Sequence, residues 1–435
     1  MLPTATAALL ALAAAAGLPL PVAGALDASA VAVFTSLEGG YHSFVNPAMV
    51  RIPSSGALLA FSEARGASGG DGDPIDVGFK RSTDSGKTWS ALRSIVPNDQ
   101  GPTTLGNNVA LVVNRSTSSS GPGGERVILV FCANNTLVWQ VHSDDAGLHW
   151  SAPTDITSQV KLPDEGWVAT GPANGIVLSS GRLLVPIDTN VAKGSIQIDY
   201  ELVPGSQGRN RQCPMESLRV GVRGAKPSPL PPLHATTGAK AAVDLCGHLS
   251  LAALFKLQQR AYVLISDDGG STWMRGAALP LIASETAIAQ LADGSILARA
   301  RLGEDGWQDN CAAFAKSVTA GKTWASMNAT LIGDAGAGAH GCIPTPGVQN
   351  SMLARGNSVF LVGSRIYGSS GHPRGNLTLY RSTDGGSKWR TVALLLEGGT
   401  APGDGYSSMV NMDGGAIGIV YSAGDKILFQ RQPVE

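Results

Sequence analysis

The groups in this chain whose types and settings could together move a proton, attack carbon and hold an anion fall at widely separated points. Residues 69–73 read Gly-Gly-Asp-Gly-Asp, which puts the carboxyls of Asp71 and Asp73 in a turn too rich in glycine for a strand. Arg65 ends the run Ser62-Glu63-Ala64-Arg65 just before that turn, and Asp76 follows it at the start of an apolar stretch. Glu285 stands in Ser284-Glu285-Thr286, sixteen residues before Arg301. Arg374 follows His372-Pro373, and Tyr406 follows Gly403-Asp404-Gly405 at the entrance to another apolar stretch. Carboxyls supply general acids and bases. A phenol, with an ordinary pKa of about 10, becomes a nucleophile only with a base beside it. A planar guanidinium holds a carboxylate through two parallel hydrogen bonds. Such groups act together only if a scaffold gathers them.

The scaffold announces itself through a repeat. Ser-x-Asp-x-Gly-x-x-Trp occurs complete at Ser82–Trp89, Ser143–Trp150, Ser266–Trp273 and Ser382–Trp389, and a fifth copy, Ser317–Trp324, has Thr319 in place of Asp. The Asp can bond the amides of its own turn, Gly takes the positive-φ position, and Trp packs the turn onto neighbouring strands. Each box is therefore a stamped hairpin. The spacings are 61, 123, 51 and 65 residues, a period that implies an array closed around an axis, a β-propeller. One gap is about twice the others, so a blade without a box is expected inside it. Strand-like runs bounded by turn residues support the all-β reading: 57–62, 75–80, 127–132, 137–142, 182–187, 261–266, 295–300, 359–363, 377–381 and 416–421. Helical periodicity with caps is scarce. Residues 191–255 break the rhythm with a basic stretch, a Pro-rich one and no box, which predicts a loop insertion within one blade.

Length and composition bound the rest. Residues 1–25 form an Ala/Leu-rich stretch ending in Ala23-Gly24-Ala25, the pattern of a secretory signal peptide, although no Lys or Arg precedes it. The chain is then expected in a secreted state or in an endomembrane, lysosome-like lumen. Residues 26–435 divide into six units of about 68 residues, ample for four-stranded blades. The 55 glycines and 25 prolines are scattered, as many short strands with tight turns require. A net charge of −1 argues against nucleic acid as partner, and no later segment is long and apolar enough for a stable membrane span. Five cysteines (Cys132, Cys213, Cys246, Cys311 and Cys342) fit no metal motif and leave at least one thiol free. Cys213 and Cys246, both in the insertion, are the most tempting pair. Asn114, Asn134, Asn328 and Asn376 stand in glycosylation sequons.

More specific text lies between the boxes. Residues 167–176, Trp-Val-Ala-Thr-Gly-Pro-Ala-Asn-Gly-Ile, resemble the Ala-Thr-Gly-Pro-Gly-x-Gly-Ile stretch of sialidases. So do Ser284-Glu285-Thr286 with residues 291–297 and Arg301, and the tail Gly405-Tyr406-Ser407-Ser408 with Gly418-Ile419-Val420-Tyr421. The chain resembles an exo-α-sialidase (neuraminidase) over nearly all of residues 26–435. The resemblance implies a six-bladed β-propeller and hydrolysis of terminal sialic acids. It implies a Tyr nucleophile, because the carboxylate on the anomeric carbon of sialic acid would repel a carboxylate.

Carried over by position, Tyr406 is similar to the nucleophile, Glu285 to its base, and Arg301 and Arg374 to clamps for the substrate carboxylate. Arg299 stands as an alternate-face neighbour that a register slip would substitute for Arg301. The acidic turn matches the site of the catalytic acid, with Asp71 favoured by counting from either side, Asp73 its close alternate and Asp76 assigned to the next strand. Arg65 matches an Arg that holds the acid or a substrate hydroxyl. No metal or cofactor is implied, and the expected partner is a sialylated glycan met by a monomer.

Two positions depart from the family. Arg51-Ile52-Pro53 imitates its first clamp motif, but Pro53 lies only three residues before Gly56, leaving no room for the strand that should intervene. The motif aligns instead with Phe44-Val45-Asn46-Pro47, so Val45 stands where the clamp Arg belongs. Arg51, six residues on, is about 20 Å away along an extended strand. The family's Glu that braces this Arg is replaced by Ser422. Asn46 could offer a neutral hydrogen bond in the vacated place. The paired loss leaves a weakened enzyme as the first expectation and a non-catalytic sialoglycan-binding propeller as the alternative. A sorting-receptor-like propeller ranks below both.

Overall fold

The computed structural model describes residues 30–66, 68–96, 104–114, 124–163, 165–191, 197–203, 217–223, 259–280, 283–302, 312–332, 343, 348–364, 376–397 and 405–434. Regular structure there is nearly all β, arranged as a six-bladed propeller. Blade one comprises Ser43–Arg51, Leu58–Arg65, Ile75–Ser82 and Arg93–Ser94. Blade two comprises Leu105–Asn114, Glu125–Ala133, Leu137–Ser143 and Thr154–Asp155. Blade three comprises Glu165–Thr170, Leu183–Val191, Gln259–Ser266 and Met274–Arg275. Blade four comprises Ala283–Gln290, Ile296–Leu302, Ala313–Ser317 and Ala325–Met327. Blade five comprises Ser351–Arg355, Ser358–Gly363, Leu377–Ser382 and Lys388–Leu396. Blade six takes Ser407–Asn411, Ala416–Ala423 and Lys426–Pro433 from the end of the described chain, and Val31–Thr35 from its beginning as a fourth strand. That pairing closes the ring and gives the last blade its outer edge.

The core is divided among the blade interfaces. Leu59, Phe61 and Phe79 of blade one meet Leu129 and Phe131 of blade two, and corresponding clusters fill the interfaces two–three, three–four, four–five, five–six and six–one. The inner strands of each blade thus bury both faces, while outer ones such as Arg93–Ser94 and Thr154–Asp155 are exposed. This explains why the strand runs read as near-continuous apolar stretches rather than as alternation. All ten runs expected from the sequence fall on strands.

The boxes do the mechanical work expected of them. In all five, the Ser hydroxyl accepts the Gly amide at 2.8–3.0 Å. In the four complete boxes it also donates to the Asp at 2.8–2.9 Å. That Asp accepts the amide four residues after itself, at 2.9 Å in each case. At Asp84 the Thr88 hydroxyl and amide, with Ser82, hold the carboxyl down to about 2. Gly86 has φ 87°, and a Cβ there would lie 2.1 Å from Phe429, so both conformation and space demand glycine. The tryptophans seal joints between blades: Trp150 packs edge-on against Phe61 and Phe79, and Trp389 tilts over Phe314.

One expectation fails. Among the described residues no boxless blade lies in the long gap between Ser143 and Ser266; blades one to five carry the five boxes and blade six has none. The gap is long because blade three is interrupted between its second and third strands. Asn190 pairs directly with Gln259, so the chain leaves the sheet and returns at the same point. Of the interrupting segment, the described part is a hairpin, Gln197–Val203 with Ser217–Arg223. Cys213, Cys246, Cys311, Cys342 and residues 1–25 lie outside the described residues; Cys132 is a buried free thiol. Among the described residues no helix is long and apolar enough to cross a membrane.

The fifth box shows what the Asp contributes. Thr319 accepts the Thr323 amide at 2.8 Å and bonds its hydroxyl at 2.7 Å, but brings no charge to the turn. Thr319→Asp is expected to raise stability by about 0.5–1.5 kcal/mol at neutral pH, measured by thermal or urea unfolding. A carboxyl depressed in the folded state stabilises above its unfolded pKa of about 4. The gain should therefore vanish as the pH falls towards 2.

Candidate active site

Strand register sorts the two faces of the propeller. Each box Ser pairs with the beginning of its blade's second strand: Ser82 with Leu58, Ser143 with Val127, Ser266 with Leu183, Ser317 with Ile296 and Ser382 with Val359. All boxes consequently lie at one end. The opposite end gathers the finishes of the second strands, with Glu63, Arg65 and Arg301, and the starts of the first strands, with Asn46 and Glu285. Tyr406 immediately precedes the first strand of blade six. Arg51 pairs with Leu58 at the box end and forms an ion pair with Asp413. It is remote from the site, as its spacing implied.

The first strands are not regular at the site end. Register shifts fall between Val45 and Ala48, Gly106 and Val109, Glu165 and Val168, and Ala283 and Thr286. A bulge adds a residue on one strand and re-aims its side chains. In blade one it carries Asn46, a non-glycine residue at φ 53°. In blade four it carries Glu285.

Two hydrogen-bonded groups result. In the first, the Tyr406 hydroxyl donates to Glu285 Oε1 at 2.6 Å, and an Arg301 terminal nitrogen donates to Glu285 Oε2 at 2.8 Å and lies 3.4 Å from the Tyr406 hydroxyl. Tyr406 and Glu285 are buried, at 7% and 9% exposure, which strengthens every charge interaction between them. Burial works against the charge of Arg301, but Glu285 and Tyr406 more than offset it and hold the guanidinium above its ordinary value. Phenol, base and cation thus meet in one place from blades six and four.

The second group centres on Glu63, which is 2% exposed. Asn46 donates to its Oε1 at 2.7 Å, and Arg65 forks its Oε2 with bonds of 2.9 and 2.7 Å. Blade two approaches so closely that a Cβ on Gly106 would lie 2.7 Å from the same carboxylate. The remaining Arg65 nitrogen bonds the Gly69 carbonyl at 3.1 Å and Asp71 at 2.6 Å. Asp71 is otherwise turned to solvent, its side chain 90% exposed. The two alternates for its role are engaged elsewhere. Asp73 accepts the amide and hydroxyl of Ser68 at 2.6 and 2.9 Å, which hold its carboxyl below the usual range and suit it to pinning the turn. Asp76 accepts the Tyr41 hydroxyl at 2.5 Å.

Arg299 needs correction. It lies two residues from Arg301 on one strand, so the two share a face rather than alternate. Arg299 sits deeper, fully buried, and donates to the Val348 carbonyl at 2.9 Å. Arg374 lies outside the described residues. Val45 and Ser422 are both buried; the Ser422 amide donates to the Tyr406 carbonyl at 3.0 Å, while its hydroxyl has no partner. The vacated positions are thus filled with small uncharged groups.

Two acids escaped assignment from the sequence. Glu63 was visible only as part of a motif. Asp188 is fully buried beside this group. The available signal was a carboxylate following the apolar run Leu183-Leu184-Val185-Pro186-Ile187 in one strand, where the described side chains leave no solvated face to put it on. Among the described residues no cluster of three or more His, Cys, Asp or Glu could hold a metal ion.

Comparison with known proteins agrees with the fold. Residues 232–419 match the family model of the BNR repeat-like domain. The exo-alpha-sialidase of Arthroderma benhamiae is 32% identical over 168 residues, 34% of this chain and 41% of that protein. The sialidase of Paraclostridium sordellii is 27% identical over 254 residues, 52% of this chain and 58% of that protein. The matches thus span about half the length of these relatives. Among solved structures, the Hadza microbial sialidase Hz136 shares the fold with a TM-score of 0.64 at 19% identity, over 91% of this chain and 66% of that one.

Proposed function

We propose that this chain, a member of the sialidase superfamily with Asp-box repeats, is an exo-α-sialidase that releases terminal sialic acids with retention of configuration. The observation that carries this reading is the buried Tyr406–Glu285 hydrogen bond of 2.6 Å, with Arg301 against both. A tyrosine at its ordinary pKa is a poor nucleophile, and a carboxylate at this distance is placed to take its proton as it attacks. The attack forms a bond from the phenol oxygen to the anomeric carbon while the glycosidic bond breaks.

Asp71 protonates the departing oxygen in that step. In the second step it takes a proton from the water that displaces Tyr406. Arg65 orients Asp71 and is itself fixed by Glu63. Arg301, with Arg374, receives the substrate carboxylate. Asn46 spends one amide hydrogen on Glu63, and the amide group has a second to offer a substrate oxygen. The glycan partner, a monomeric state and a secreted or lumenal location belong to the same proposal.

The second reading, a sialoglycan-binding propeller without turnover, is favoured by one observation, the uncharged pair Val45 and Ser422. Turnover of a fluorogenic sialoside separates the two. The parent protein should cleave it, and Tyr406→Phe should lose at least about 10²-fold in kcat. Binding without turnover by the parent would establish the second reading, and equal turnover by the variant would remove Tyr406 from its role.

The vacated clamp gives a further test. Val45→Arg alone buries an uncompensated charge and should lower the melting temperature. Val45→Arg combined with Ser422→Glu should recover part of that loss and lower KM about 10–100-fold through a restored charged hydrogen bond. An unchanged KM in the stable double variant would show that position 45 does not face the substrate carboxylate.

A further inference from the structure

Asp188 belongs to no step above, yet it is buried at the same end of the propeller and feels the charges of Glu285 and Arg301. It sits opposite Ala169 and Ala261 in the second strand of blade three, at the site end. Its side chain is wholly buried, and among the described residues neither carboxyl oxygen has a hydrogen-bond partner. A buried ionised carboxylate with no donor is strongly disfavoured, so such a group stays neutral or acquires a cation.

The charged and titratable groups around it define which. From blade four, Glu285 and Arg301 act on it in opposite senses. From blade two comes Cys132, whose thiol burial pushes up to about 12 and which is therefore neutral. Arg299 also interacts with Glu285 and Arg301, and it donates to the Val348 carbonyl at 2.9 Å. Within blade three, Glu165 and Arg275 bond each other at 2.5 and 2.6 Å, and Glu165 takes the Thr189 hydroxyl at 2.7 Å. Arg260, paired with Thr189, donates to the Gln259 carbonyl at 3.0 Å. The cation that acts on Asp188 is Arg301, the residue assigned to the substrate carboxylate.

We propose that Asp188 is a positioning residue: neutral, it leaves the Arg301 guanidinium to the substrate carboxylate, and ionised, it competes with that carboxylate for the same cation. The proposal rests on the sialidase reading, because it takes a carboxylate ligand at Arg301. Burial first, and Glu285 second, raise Asp188 well above the ordinary carboxylate range, with Arg301 opposing. Asp188 is then neutral in acid, and ionises as the pH climbs through that raised value. Ligand affinity should be high on the acid side and fall on the alkaline side. By linkage, a carboxylate bound at Arg301 favours the neutral acid, so binding on the alkaline limb takes up a proton. The same shift makes Asp188 a burden on folding above the unfolded carboxylate pKa of about 4, one that grows as the pH rises.

The test is calorimetric titration of free sialic acid from pH 5.5 to 8.5 into the parent, Asp188→Asn and Asp188→Ser. Asn keeps shape without charge, and Ser covers the case in which Asn fails to fold. The parent should lose affinity about tenfold or more across the range, with proton uptake at the upper end. Both variants should lose less than about threefold, without that uptake, and Asp188→Asn should gain thermal stability over the parent increasingly with pH. An equal fall in parent and variants, or a parent affinity flat through pH 8.5, overturns the role of Asp188 alone. Absence of binding by the parent at every pH overturns the sialidase reading and this proposal with it.

Discussion

The hydrogen bond between Tyr406 and Glu285 sets the demands that the rest of the molecule meets. Its partners are 121 residues apart and belong to blades six and four. A separation of 2.6 Å across two blades survives only if the ring cannot breathe. Val31–Thr35 closes blade six with its fourth strand, and a Trp or a Phe pair cements several of the joints. The bulge between Ala283 and Thr286 supplies the last correction by re-aiming Glu285 off the regular ladder. Arg301 then pairs with the Glu285 carboxylate inside the protein, where a buried charge without a partner would be costly.

The same economy of charge runs through the rest of the site. Glu63 is tied to Arg65 and Asn46, and Arg65 in turn reaches Asp71, so the acid loop is anchored to the interior through two ion pairs in series. Where the superfamily pattern has a clamp Arg and its Glu, this chain has Val45 and Ser422, and no charge is stranded by the loss. Replacing both members together avoids the large penalty of burying one without the other. The site that remains has fewer cations to hold a carboxylate, which raises the importance of whatever else acts on Arg301.

Much of this architecture is legible in the sequence, for physical reasons that also explain the failures. Box turns and buried strands depend on local chemistry, so Ser82–Trp89 or residues 377–381 could be placed without coordinates. Spacing along a strand is rigid, and it placed Arg51 far from the clamp position, at the end where the structure pairs it with Asp413. The same spacing misled at the 123-residue gap, because the excess length lies between Asn190 and Gln259, inside one blade, and not in a further blade. Bulges were invisible, since the pattern does not say which side gains a residue. Asp188 and Glu63 were passed over because their meaning comes from partners on other blades, and Arg299 was given the wrong face by miscounting a period of two. Arg374 keeps only its sequence assignment.

The central claim is that the Tyr406 oxygen becomes covalently bonded to the sugar during turnover. Incubation with a 3-fluorosialosyl fluoride, which forms the glycosyl-enzyme readily and hydrolyses slowly, followed by peptide mass spectrometry, tests it directly. One sugar should be found on the peptide carrying Tyr406, and none on the Tyr406→Phe protein. Turnover of an ordinary sialoside with no adduct, or an adduct on another residue, would contradict the account.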